Sequence, residues 1–201
     1  MLDQLDARLI IQLHDRALER PADPATGDEA EDGNAFWAAV ARNHRFNRLL
    51  WEQEDQARRH DVPPHAIAEN KRAIDRYNQG RNDAVEEMDE RLLRSLESIR
   101  PDPSSRLNSE TAGAMIDRLS ILSLKIFHMK KQTERRDASE AHTAQCGDKL
   151  RRLQEQRRDL QYCLDRLLHE AQQGRAHFKI YRQYKMYNDP ALNPYLYGAK
   201  N

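Results

Sequence analysis

Apolar residues recur along most of this chain at helical steps, and the clearest run lies between Asp137 and Gly174. Cys146, Leu150, Leu153, Leu160, Leu164, Leu167 and Ala171 follow at alternating intervals of four and three, with Arg157 the residue out of type. That is a heptad seam, the mark of a long helix whose apolar stripe other helices cover. At about 1.5 Å per residue the helix would be about 50 Å long. Asp137 and Glu140 stand at capping-box spacing at its start, and Gly174 is a natural stop at its end.

Four helices are expected before it. Leu2, Leu5, Leu9, Leu13 and Ala17 mark one face of the first, which ends near Arg20. Residues 21–34 hold two prolines, two glycines and a cluster of acids, the composition of a mobile surface loop. Asn34 can cap a second helix running to about His60. Its inner side reads Trp37, Val40, Ala41, His44, Asn47, Trp51, Glu54, Asp55 and Arg58, turning polar as it proceeds.

Pro63 and Pro64 suit the first turn of a third helix reaching about Ile99. Its core positions are apolar from Val85 onward, but Lys71, Asn78 and Arg81 occupy them earlier, with Asp75 and Asn82 alongside. Gly80 in mid-helix marks a kink or a close helix contact. A fourth helix, about Ser109 to Arg136, carries Met115, Leu119, Leu122, Ile126 and Met129 on one stripe and Asp117, Ile121, Leu124 and His128 on the next. Residues 101–108 read as a short turn. Residues 175–187 are dense in aromatics and bases and are expected to dock through their tyrosines, and residues 188–201 read as an extended tail. The expected fold is all-α: one domain over 1–201, a bundle of about five long helices with coiled-coil-like packing.

Charged residues make up 33% of the 201, with formal net charge zero, and mean hydropathy is −0.98. Heptads with this much charge suit long exposed helices around a thin core, a core that a second copy would complete as a homodimer. No apolar run reaches the length of a transmembrane helix, and residues 1–20 lack a signal-peptide core. Cys146 and Cys163, on one helix, would lie about 25 Å apart, too far to bridge within it. Reduced thiols and a cytoplasmic location are the expectation. Electroneutrality and the absence of a recognition motif argue against nucleic acid at the basic, aromatic C-terminal stretch.

Candidate chemistry is sparse. The chain lacks a Glu-x-x-His pair, zinc-type cysteine spacing, a phosphate-binding glycine loop and a nucleophile elbow. His60-Asp61 sits at a proline-flanked turn. Two acidic pairs remain, Glu52 with Asp55 and Glu86 with Asp89; acids three apart share a helix face, and two such faces can hold magnesium. A polar end of the bundle is the other lead. There His44, Asp55, Asp75 and Asp117 would act as acid, base or electrostatic groups. Asn47, Trp51, Arg58, Lys71, Asn78, Arg81 and Arg118 would hold a phosphate or sugar nucleotide. The structural alternative is a polar layer that fixes helix register, with His44 a hydrogen-bonded core histidine and His128 a structural one among apolar residues.

Four stretches bear a resemblance: Trp51 to Arg58; Lys71-Arg72-Ala73-Ile74-Asp75-Arg76-Tyr77-Asn78; Ile116-Asp117-Arg118-Leu119-Ser120-Ile121-Leu122; and Tyr181-Arg182-Gln183-Tyr184-Lys185-Met186-Tyr187-Asn188-Asp189-Pro190. With them the chain resembles a bacterial family known only as a domain of unknown function. The resemblance spans nearly all of the chain except the loop at 21–34. It implies a cytoplasmic helical protein, often encoded beside glycosyltransferases of envelope polysaccharide and heptose addition. From that follows an accessory or scaffold role in envelope-glycan assembly, with a glycosyltransferase as partner. The alternative is a magnesium-dependent hydrolase or transferase acting on a nucleotide or sugar nucleotide. The family carries no assigned catalytic residues to transfer.

Overall fold

The computed structural model describes residues 5–20, 35–184, 186 and 189–198; the loop expected at 21–34 and its Asn34 cap lie outside these. The fold is all-α. Five helices build it: α1 (Ala7–Ala17), α2 (Ala35–Gln56), α3 (Pro64–Ser95), α4 (Ala112–Thr133) and α5 (Glu140–Gln172). A two-residue parallel ladder joins β1 (Arg106–Leu107) to β2 (Ala176–His177), and α6 (Pro194–Tyr197) is one turn near the end of the chain. Helices α2 and α3 form one antiparallel hairpin, α4 and α5 another, and α1 packs across α2, α4 and α5. No helix among the described residues is long and apolar enough to cross a membrane.

The core joins Ile10 of α1, Phe36 and Val40 of α2, Met88 and Leu92 of α3, Ile116 and Leu119 of α4, and Leu164 and Leu167 of α5. Each such side chain, fully buried, stabilises the fold by about 1.5–3 kcal/mol relative to exposure. Two glycines set how closely the helices approach. A Cβ on Gly80 would lie 2.4 Å from the Phe46 ring of α2, so the mid-helix glycine marks a contact. A Cβ on Gly113 would lie 2.6 Å from the Val85 carbonyl oxygen, so α4 meets the backbone of α3 there.

Several local expectations are corrected. Helix α1 buries Ala7, Ile10, Ile11 and His14; of the expected leucine stripe Leu5 and Leu13 pack against the core partly buried, Leu9 is 41% exposed, and Leu2 lies outside the described residues. Asp6 accepts the Arg8 N–H at 2.7 Å, and Asp165 of α5 accepts the Ala7 N–H at 2.9 Å. Those bonds pin the start of α1 and set which face turns inward. Helix α5 is capped by Ser139, which accepts the His142 N–H at 3.3 Å, while Asp137 pairs with Arg135 at 2.7 Å. At the other end Gly174 has φ of 70°, and the Arg175 N–H returns to the Glu170 carbonyl at 2.9 Å, a Schellman-type stop.

That stop turns the chain beside β1, a ladder where the sequence suggested only a turn. The C-terminal segment then docks through Ala176 and Phe178, both buried, and not through Tyr181 or Tyr184, which are 56% and 86% exposed; Tyr187 lies outside the described residues. The expected extended tail contains α6, capped by Asn193 accepting the Tyr195 N–H at 3.0 Å. Cys146 is buried, Cys163 exposed, and both are free thiols.

Candidate functional site

A polar layer crosses the bundle because α2 carries Asn43, His44 and Asn47 on the same buried face as Phe36, Ala39 and Val40. Residues four apart stack one turn above the other, so Asn43 and Asn47 reach the same acceptor. Each donates a side-chain N–H to Asp117 Oδ1 of α4 at 2.8 Å. Asn47 also donates to Ser120 Oγ at 3.0 Å, and Ser120 shares a 2.8 Å hydrogen bond with His44 Nδ1. Helix α1 closes the layer: His14 stacks on His44 with ring centroids 4.6 Å apart and planes 18° from parallel. Arg157, out of type in the α5 seam, donates to Asp15 of α1 at 2.8 Å and to Ser123 at 3.3 Å.

Both imidazoles are neutral. Burial, reinforced by the Arg48 guanidinium, pushes His44 down to about 3. Burial, then His44, then Arg157 hold His14 well below the ordinary histidine value. Both ring nitrogens of His14 and Nε2 of His44 have no hydrogen-bond partner among the described residues. His44 is only 1% exposed, so this ring packs inside the bundle and not on the cavity wall.

Asp117 also faces outward. With Arg81, Glu86 and Asp89 of α3, Glu110 and Thr111 before α4, and Tyr181 and Gln183 of the C-terminal segment, it lines a cavity of about 310 Å³. The start of α4 organises this wall. Asp89 accepts the Gly113 N–H at 2.6 Å and a hydrogen bond from the Thr111 hydroxyl. Burial nevertheless raises its carboxyl to about 6, because desolvation outweighs those two bonds. Glu86 is held by Arg182 at 2.6 Å and Glu110 by Arg118 at 2.7 Å. Asn82 donates to Gln183 at 2.9 Å, tying the C-terminal segment over the opening. The Nε of Arg81 is buried and has no hydrogen-bond partner among the described residues.

The expected convergence therefore splits. Asp117, Arg81, Glu86 and Asp89 share the cavity, with Asn47 and His44 behind Asp117. Trp51 and Asp55 lie elsewhere, on a groove with His128 of α4. Lys71 and Asp75 pair with each other at 3.3 Å on the surface, and Arg58 pairs with Glu54 at 2.8 Å, also exposed. Asn78 is half-buried on α3, outside the lining of cavity and groove alike. Arg118 is spent on Glu110.

The two acidic pairs do not form the expected magnesium site. Glu52 and Asp55 are exposed near the end of α2, and the groove that Asp55 lines with Lys125 and His128 is about 12–23 Å along α4 from Gly113 and Asp117. Among the described residues no three His, Cys, Asp or Glu side chains come together to hold a metal ion. Sequence reasoning missed Asn43, Ser120, His14, Thr111 and Gln183. Asn43 had a signal, an asparagine one turn before Asn47 on an apolar face. The others are brought in by packing.

These features define a small all-α protein with a buried polar layer that opens on one side into a carboxylate-lined cavity. Its residues 37–180 match the model of the family described as Protein of unknown function (DUF4254), and the chain belongs to that family. No curated protein and no solved structure gives a match. The matched region begins after α1 and stops before Tyr181, so His14 of the layer and two residues of the cavity wall lie outside it.

Proposed function

We propose that this protein is an accessory ligand-binding protein of envelope-glycan assembly, and that its cavity takes a hydroxyl-rich ligand of the sugar class. One observation carries the reading: Asp117, Asp89 and Arg81, from two helices, meet on one cavity of about 310 Å³. A third helix orients Asp117 through Asn43 and Asn47. Carboxylates held this way accept hydrogen bonds from hydroxyls, and a guanidinium donates to ring or hydroxyl oxygens. The Tyr181 ring supplies an apolar wall. The envelope-glycan setting draws its support from the family resemblance, and the cavity chemistry suits it. A glycosyltransferase is the partner this reading supplies with ligand.

Asp89 favours a second reading, an enzyme. With its carboxyl raised to about 6, it is half protonated near that pH, and Asp117 lies about one helical turn along α4 from Gly113, whose N–H Asp89 accepts. A proton-donating carboxyl beside an accepting one is the pair that glycosyl hydrolysis or transfer requires. This version of the hydrolase or transferase uses proton transfer where the sequence reading placed magnesium.

One experiment tests both readings. The purified chain is screened by thermal shift against free sugars, sugar phosphates and sugar nucleotides, and the same mixtures are analysed for cleavage products. A ligand at a hundred times its dissociation constant adds about 2.7 kcal/mol to stability. The binding reading expects such a shift, lost in Asp117→Ala; a flat screen at millimolar ligand refutes it. Turnover that disappears in Asp89→Asn establishes the enzyme, and intact ligand alongside a clear shift eliminates it.

A further inference from the structure

We infer that a second site, the groove between the end of α2, the later half of α4 and the first half of α5, binds a nucleotide. Its flat ring lies against the Trp51–His128 wall, and its phosphates lie on Lys125, Lys149 and Arg152.

The groove exists because α1 is short. Helix α1 runs along α5 from Asp165, which holds the Ala7 N–H, to Arg157, which holds Asp15. Beyond Arg157 the seam of α5 continues through Leu153, which stays half-buried. The hollow this leaves has a volume of about 600 Å³, within the range of about 300–1,000 Å³ typical of small-molecule sites. Trp51 lies flat on His128 there, with ring centroids 4.5 Å apart and planes 5° from parallel. Met129 and Leu153 extend this surface. The stacked pair with Met129 and Leu153 gives the groove an apolar, partly aromatic wall, the kind of surface on which a nucleobase packs.

The charges around that wall are mostly positive. Lys125, Lys149 and Arg152 line the groove, and Asp55 is the one acid among the lining residues. On the same helix Arg151 holds Asp148 and Arg157 holds Asp15. Arg152, Lys125 and Lys149 hold no carboxylate among the described residues. Three uncommitted cations beside an aromatic wall complement a ligand that is flat at one end and anionic at the other. A guanidinium and two ammonium groups on one groove suit a diphosphate, and Asp55 can accept from ribose hydroxyls or a base amine. Burial, then Lys131, lowers His128, with Asp55 opposing. A phosphate beside this ring would raise it again.

The groove begins about 12 Å along α4 from the carboxylate cavity, at Lys125 against Asp117, and it does not depend on what the cavity binds. The test is isothermal titration of the full chain at low salt with ADP, UDP, adenosine and inorganic pyrophosphate. The expected result is binding of a nucleoside diphosphate at least tenfold tighter than adenosine or pyrophosphate. Lys149→Glu with Arg152→Glu should weaken it at least tenfold, and Trp51→Leu should reduce it to the pyrophosphate level. Asp117→Ala should leave it unchanged, and melting curves verify that each variant folds. In NMR titrations His128 should deprotonate at higher pH when ADP is present. No heat at millimolar nucleotide, indifference to the double charge reversal, or pyrophosphate binding as tightly as ADP overturns the inference. So does an oligonucleotide that binds more than tenfold tighter than any mononucleotide, which would make the groove a single-strand surface.

Discussion

Acidification should strip stability from this fold through His44, and replacing that residue should remove the effect. In the unfolded chain a histidine titrates at about 6.5, so it is almost fully protonated at about pH 5 and mostly neutral at about pH 7. In the folded chain His44 is pushed down to about 3 by burial and then by Arg48, so it stays neutral across that interval. The depressed value means that the unfolded state binds the extra proton, and stability falls as the pH drops below the unfolded value. For His44 the loss between about pH 7 and about pH 5 is about 1.9 kcal/mol.

His14, depressed by burial, His44 and Arg157, adds a loss of the same sign. Asp89 works the other way. Its folded carboxyl, raised to about 6, takes up a proton in this window that the unfolded carboxyl does not, which returns about 1.3 kcal/mol. The clean quantity is therefore a difference between two proteins. Urea unfolding of wild type and His44→Gln, at both pH values, gives the free energies by linear extrapolation. Wild type should lose about 1.9 kcal/mol more than the variant over the interval. NMR of the folded wild type should show no His44 titration over the same range. Equal losses in the two proteins, or a folded His44 that titrates near 6.5, would refute the reasoning.

Two further outcomes follow from packing. Gly113→Ala should lose about 1–3 kcal/mol in urea unfolding although alanine is the better helix former by about 1 kcal/mol. The new methyl would meet the Val85 carbonyl at 2.6 Å and Asp89 Oδ1 at 2.8 Å, and an alanine variant as stable as wild type would show that α3 and α4 separate freely. Phe178→Ala should lose about 3–5 kcal/mol, whereas Tyr184→Ala should stay within about 0.5 kcal/mol of wild type. The reverse order of effects would mean that the C-terminal segment docks through its tyrosines after all.

Helix existence was local information. The steps of three and four in α3, α4 and α5, the proline start of α3 and the glycine stop after α5 are properties of neighbouring residues, and each appears in the fold near its expected place. Residue chemistry was legible too: Asp117, Asn47 and Arg81 stood out as polar side chains where a core should run. What the sequence by itself could not determine was which polar residues meet. A helical face shows that a side chain points inward, not what it finds there. Arg58, Lys71 and Asp75 share the composition of the site yet end in exposed pairs, because the hairpin of α2 and α3 leaves their side uncovered.

Docking decided the rest. The rotation of α1 is pinned by Asp165, a residue 158 positions away that accepts its first N–H; its buried face, Ala7, Ile10, Ile11 and His14, is spaced as a helical stripe of its own, and the leucines offered a competing one. The same docking brings His14 onto His44 and stops short of Leu153, leaving the groove open. Spacing along a helix is set by a repeat that each residue carries with it. Cavities and grooves are set by where one rigid element ends against another, and that exists only once the chain has closed on itself.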